Sequence, residues 1–284
     1  MLNKTASLDT YNRNRLLIKF LSYFVLTAGA ALMVMPFLWS VATSFKNAKD
    51  VFTTSPFQIA FPPDFSAYNE MLERVDFVRY ATNTFIVAGL ITLGQLFTCS
   101  LSGYAFAKIR FPGRDAIFLI FLSTLMVPAA VTLIPNFIIM RSFQLLDTLT
   151  ALVLPFLGSA YGTFLMRQYY LTFPDELTDA AKLDGCNPFT FYLRILLPNS
   201  KPILATLGLL TFQAFWNDFQ WPLIVINSES NRTLQVGLSY LRNEHYINWP
   251  LLMAASVLTT LPIIVLFLLA QKQLVQSVKL SGIK

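Results

Sequence analysis

Two stretches of this sequence combine residue types at spacings that could do chemistry. The first is 172–202, where Asp179, Ala180 and Ala181 are followed by Asp184, Gly185 and, further on, Pro198. The second is 212–222, where Gln213, Asn217 and Trp221 recur every four residues beside Trp216 and Asp218. Amides match the donors and acceptors of hydroxyl groups, and an indole face packs against the apolar face of a pyranose. The alternative is a polar stripe that joins helices by hydrogen bonds. Covalent catalysis finds little support. The chain has one histidine, His245, and two cysteines, Cys99 and Cys186, so neither a nucleophile–base arrangement nor a metal-ligand cluster can be composed.

The elements that must position these residues follow from charge. The 284 residues are 55% hydrophobic and 13% charged, against roughly 25% charged in a soluble domain. Such a chain cannot cover a soluble core. Its charges are clustered, and they leave charge-free runs at 20–45, 80–107, 116–140, 148–166 and 245–271; a further run, 202–226, is interrupted only by Asp218. About 20 apolar residues cross a bilayer as a helix, and lipid requires the backbone to satisfy its own hydrogen bonds. The reading is an all-α, polytopic membrane bundle. Its six spans are expected at about 16–44, 80–107, 115–140, 149–170, 202–226 and 249–272. They form a single membrane domain, 16–284, behind a polar cytoplasmic arm, 1–15. The first apolar run is too long for a cleavable signal peptide and reads as a signal anchor.

Net charge is +6, but its distribution argues against nucleic acid. Of the 21 basic residues, only Lys46, Lys49, Arg74, Arg79, Arg141, Arg232 and Arg242 fall on segments that are outside if the amino terminus is inside. That asymmetry follows the positive-inside rule and puts both termini in the cytoplasm. Asn83 and Gln95 are amides within span two, where they either bond neighbouring helices or line a pathway. His245 is expected at the outer edge of span six. The sequon beginning at Asn231 reads as a chance match.

Local rules then shape 173–201 into a cytoplasmic loop. Thr172 is expected to cap a helix with Pro174 in its first turn, and Asp175 and Glu176 suit the positive end of that helix. Gly185 should end it in the left-handed conformation. Asn187 and Pro188 should start a second helix that stops before Pro198, and Ser200 should cap span five. Leu177, Ala180, Ala181 and Asp184 are expected on one smooth face. That face suits insertion into a groove of another protein. The alternative is a helix lying on the membrane surface.

The segment Asp179-Ala180-Ala181, then Gly185, then Ile195 to Pro198, resembles the loop of ABC importer permease subunits. That loop reads Glu-Ala-Ala, three residues, Gly, nine residues, Ile-x-Leu-Pro. Here the Glu is Asp179. The likeness is closest to the six-span carbohydrate-uptake branch, on Met126–Pro128, Ile134–Pro135, Phe164–Gln168, Trp216–Pro222, Thr233–Leu238, Trp249 before Met253, and Ser281–Lys284.

The resemblance implies the type I ABC importer fold in a bacterial inner membrane. It also implies a homologous second permease subunit, two ABC ATPase subunits that bind ATP and Mg, and an extracytoplasmic solute-binding protein. The ATPase would dock on Asp179, Ala180, Ala181, Asp184, Gly185 and Pro198. A solute pathway would involve Asn83, Gln213, Trp216, Asn217, Asp218 and Trp221. The chain itself carries no phosphate-binding loop and no cofactor. An ion-coupled carrier and a non-transporting scaffold are the other classes considered; few intramembrane ionisable groups exist to carry a coupling ion.

Overall fold

A computed structural model describes residues 2–59, 61–241 and 248–281. His245 lies outside the described residues. In chain order the α-helices are α1 (Leu2–Ser44), α2 (Ser66–Arg74), α3 (Phe77–Lys108), α4 (Arg114–Ser123), α5 (Ala129–Ser142), α6 (Leu149–Val153), α7 (Ala160–Leu171) and α8 (Asp175–Leu183). They continue with α9 (Pro188–Phe191), α10 (Leu197–Asn199), α11 (Lys201–Trp216), α12 (Gln220–Val225), α13 (Leu234–Ser239) and α14 (Trp249–Ser281). No strand occurs among the described residues.

Three helices are long and apolar enough to cross a bilayer unaided: Arg15–Ser44, Phe77–Lys108 and Trp249–Gln273. Three bent pairs bring the count to as many as six: Arg114–Met126 with Ala129–Ser142, Leu149–Phe156 with Ala160–Leu171, and Pro188–Asn199 with Lys201–Trp216. The bends have identifiable causes. Pro128, at φ −59° and ψ 135°, breaks the first pair by 99°. Pro155 sits in a 3-10 turn before the second, where Ser159 then caps α7 by accepting from the Gly162 N–H.

The chain forms two compact units. The first holds 1–74 with 242–258, and the second holds 75–241 with 259–284. In the first unit residues 2–15, within the stretch expected as a polar arm, are helical and continuous with the rest of α1. Neither glycine nor proline precedes Gly29, so nothing local ends that helix earlier. Between α1 and α2 the chain is irregular around Lys46, which is 2% exposed. The Lys46 ammonium donates to the Ser55 carbonyl at 2.6 Å, so a buried cation organises the loop.

In the second unit α3 is the central post. Its 32 residues rise about 48 Å at 1.5 Å each, and α7 and α11 pack along it. Gly103 sets the approach to α7: a Cβ there would lie 2.6 Å from Met166 Cβ and 2.9 Å from the Arg167 nitrogen. Several buried polar groups of this interface pair across it. Gln95 donates to the Phe156 carbonyl at 2.9 Å and accepts from the Thr211 hydroxyl at 3.0 Å. Gln95 therefore bonds neighbouring segments, one of the two roles expected of it.

Candidate functional site: an anchored loop and a cavity at two helix breaks

The 173–201 loop begins with α8. Its amino end is held by α3, not by the expected Thr172 cap. Thr172 instead donates its hydroxyl to the Tyr169 carbonyl at the end of α7, and Pro174 takes the cap position. The Lys108 ammonium, at the last residue of α3, donates to Asp175 Oδ1 at 2.6 Å and to the Phe173 carbonyl at 2.7 Å. Lys108's side chain is 6% exposed while that of Asp175 is 83% exposed. The Lys108 ammonium, as donor and then as nearby charge, holds the Asp175 carboxyl below the usual carboxylate range.

At the other end of α8 the glycine stop forms as the sequence indicates. Gly185 has φ +74°. Its N–H donates to Lys182, and the Cys186 N–H donates to Ala181 at 2.9 Å, which is the Schellman pattern. Asn187 then caps α9 by accepting from the Thr190 N–H at 2.8 Å, with Pro188 at the first helical position.

Three expectations for this loop are corrected. The helix does not stop before Pro198. It passes through a π-helical turn, Tyr192–Leu196, and continues to Asn199. The wider π turn re-pairs the carbonyls around a proline that lacks an N–H. Ser200 does not cap α11 with its side chain. Its hydroxyl turns back to the Leu196 carbonyl at 2.6 Å. Third, the four-residue face is split. Ala181 is 6% exposed and packs inward with Tyr104, Tyr192 and Leu196, whereas Leu177, Ala180 and Asp184 remain exposed.

That inward packing makes the loop part of the core. Tyr192 bonds Ser100 of α3 at 2.6 Å, its ring stacks on Tyr104 at 5.4 Å, and Tyr104 donates to the Pro188 carbonyl at 3.0 Å. Outward, the loop presents Ala180, Leu183 and Gly185; Leu183 is 90% exposed. Asp179 is exposed as well and accepts from Lys182 within the same helix at 2.9 Å. Pro198 is exposed near the loop's end. Sequence reasoning missed Lys108, Tyr104 and Tyr192 because their partners are far away in the chain. It passed over Leu183 because an exposed leucine has no local signature.

The 212–222 stripe does not survive as one helical face. The helix breaks between Trp216 and Gln220, so residues four apart no longer align. Gln213 and Asn217 are exposed. Trp216 is buried and donates to the Thr259 carbonyl at 3.1 Å, and Trp221 is buried and donates to the Ala151 carbonyl at 3.1 Å. Both indoles therefore brace the packing. Asn83 is also engaged: its amide donates to the carbonyls of Ser230 and Arg232 at 2.9 and 3.0 Å. Of the expected residues, Asp218 and Trp221 share a cavity. It has a volume of about 270 Å³ and is also lined by Thr132, Asn136, Phe156 and Gln220. It lies where α5 begins after the Pro128 break and where α12 begins after the 217–219 break. Irregular backbone at membrane depth is tolerated where it lines a cavity or is buried in protein.

At the end of α3 remote from Lys108, Asp147 organises the 226–231 loop. Its Oδ1 accepts from the N–H groups of Asn227 and Ser228 and from the Ser228 hydroxyl, each at 2.9 Å. Those donors, the Ser228 amide foremost, hold the Asp147 carboxyl below its ordinary value. Asn231, the sequon asparagine, donates its amide to the Asp147 carbonyl at 2.6 Å.

Long apolar helices and bent helix pairs, with a helix–glycine–helix loop anchored on α3, define a helical multi-span membrane protein. Residues 99–280 match the family of binding-protein-dependent transport system inner membrane components, and the chain belongs to that family. It is thus a multi-pass, non-catalytic membrane subunit with the importer-permease fold. Among its relatives, the arabinooligosaccharide transport system permease protein AraQ of Halalkalibacterium halodurans is 33% identical over 268 residues, covering 92% of this chain and 96% of that protein. The sn-glycerol-3-phosphate transport system permease protein UgpE of Escherichia coli K12 is 37% identical over 202 residues, covering 70% and 72%. A solved bacterial ABC transporter involved in import of the acidic polysaccharide alginate superposes with a TM-score of 0.78 at 26% identity, covering 90% of this chain and 96% of that chain.

Proposed function

We propose that this chain forms half of the solute pathway of an ATP-driven ABC importer for a carbohydrate or related polyol-like solute. A homologous permease subunit supplies the other half. ATP and Mg are bound by two ATPase subunits, and an external binding protein delivers the solute. Both termini and the 173–201 loop lie in the cytoplasm, and residues 16–284 act as one membrane domain. The ATPase docks on the exposed side of the loop, around Asp179, Ala180, Asp184 and Gly185. Ala181 and Pro198 shape that side from behind and from its end.

One observation supports this reading above the others. The loop is open on one side and bound to the span core on the other through Lys108, Tyr104 and Tyr192. A force applied to the exposed side passes into α3 without an intervening flexible linker. Because α3 packs along α7 and α11, movement of the loop moves the bundle. The test is to replace Gly185 by Trp and measure ATPase co-purification and solute uptake. Loss of both is expected. Unchanged ATPase association together with unchanged uptake contradicts the docking assignment.

A further inference from the structure

The charge of the cavity at the two helix breaks bears on which solutes pass. Its polar lining consists of the Asp218 carboxyl, the Asn136 and Gln220 amides and the Thr132 hydroxyl. Among the described residues that line it there is no lysine, arginine or histidine. Its apolar wall is aromatic: Phe156 lies 5.1 Å from Phe215 and 6.0 Å from Trp221, centroid to centroid. The Trp221 N–H is already engaged by Ala151, so that ring adds apolar surface rather than a donor.

We infer that this cavity is a solute subsite that accepts neutral, hydroxyl-rich groups and rejects anions. The inference rests on the permease reading above. Hydroxyls both donate and accept, and amide, hydroxyl and carboxyl groups answer both roles. Aromatic faces cover the C–H surface of a sugar ring. Phosphate and carboxylate are held most strongly by cationic donors, and the lining offers only the neutral Asn136 and Gln220 amides and the Thr132 hydroxyl beside an acid. The amino end of α5 contributes about half a positive charge. The backbone N–H groups of Trp221, Gln220 and Phe219 lie beside the Asp218 carboxyl, so an incoming anion approaching them meets that acid. Ionised, Asp218 outweighs the α5 dipole; protonated, it still supplies no positive charge. At about 270 Å³ the cavity is near the lower end of small-molecule pockets, roughly 300 Å³, which suits one ring or a short polyol at a time. This sets the chain apart in expected cargo from relatives named for glycerol phosphate or an acidic polysaccharide.

The experiment reads the cavity's charge with defined probes. Thr132→Cys is made in a chain whose half-buried Cys186 is replaced by Ser, and the complete transporter is purified into liposomes. Reaction rates with a cationic and an anionic methanethiosulfonate of similar size are then compared. The cationic reagent is expected to react about tenfold faster, and Asp218→Asn should collapse that ratio. Equal rates, or faster reaction of the anion, overturn the inference. In parallel, cells carrying wild-type, Asn136→Ala or Gln220→Ala chains are assayed with labelled arabinotriose and maltotriose, and with sn-glycerol 3-phosphate and digalacturonate. Chain-dependent uptake of either anionic probe also overturns it. Chain-dependent neutral uptake that falls about tenfold in either variant, with ATPase co-purification intact, supports it. If the charge bias is present but the wild-type chain binds no ATPase, the permease reading fails and takes the solute-subsite assignment with it, whereas a missing charge bias with ATPase bound overturns the subsite assignment alone.

Discussion

The Lys108 ammonium sits 2.6 Å from Asp175 Oδ1, tying the last residue of the central post to the first turn of the exposed loop helix. The two residues are 67 positions apart in sequence, and one of them is nearly buried while the other faces solvent. On the proposed reading, the pair fixes the loop where force from the ATPase enters. Asp175→Asn should therefore leave ATPase association in place and lower uptake per ATP hydrolysed by about tenfold. A purely structural defect would lower both together. Measuring the two in one proteoliposome preparation separates the cases.

The same pair predicts a pH dependence. The Asp175 carboxyl is held below the usual carboxylate range by Lys108, so its contribution is present above that range and lost as pH falls through the lower folded-state value. Hydrogen exchange at the amides of 174–184 should accelerate on acidification from pH 5 to about 3, after correction for intrinsic rates. The Asp175→Asn chain should show no such added step.

Asp147 makes an analogous prediction at the opposite end of α3. Asp147→Gly keeps a residue suited to the observed φ of +61° but removes the acceptor for Asn227 and Ser228. Protection of the 227–231 amides should fall about tenfold, with little change in α8. In the wild-type chain the same protection should fade as pH drops below the ordinary carboxylate range, because this carboxyl is also held low.

Two glycines of α3 should respond oppositely to alanine. At Gly89 a Cβ meets nothing within 4 Å, so Gly89→Ala should gain up to about 1 kcal/mol from helix propensity. At Gly103 the added Cβ would meet Met166 and Arg167 backbone atoms, and overpacking costs about 1–3 kcal/mol. Thermal unfolding in detergent should show a raised midpoint for the first and a lowered one for the second.

Much of this fold could be read from charge alone. The apolar helical stretches Arg15–Ser44 and Phe77–Lys108 fall within three residues of the runs expected from 16 to 44 and 80 to 107, because lipid leaves no other place for uncharged runs of that length. Gly185 and Asn187 could be read because a cap is a local device. What stayed hidden depends on partners distant in sequence. Thr172 and Ser200 each had a nearby carbonyl that outcompeted the expected cap. The break at 217–219 has a local cause in Pro222, which offers no N–H to the Asp218 carbonyl and crowds it, but the cavity beside the break also needs α5. Asn136, Gln220 and Thr132 were overlooked for that reason: a lining is defined by two breaks meeting, and neither break advertises the other.

On the proposed function, the ATPase covers the exposed side of the 173–201 loop. The most direct measurement is maleimide labelling of Leu183→Cys, in a chain with Cys186 replaced by Ser, with and without the co-expressed ATPase. Leu183 is 90% exposed in the isolated chain, so labelling should be fast alone and slowed about tenfold or more in the complex. Equal labelling in both preparations, with the ATPase demonstrably bound, would contradict the claim.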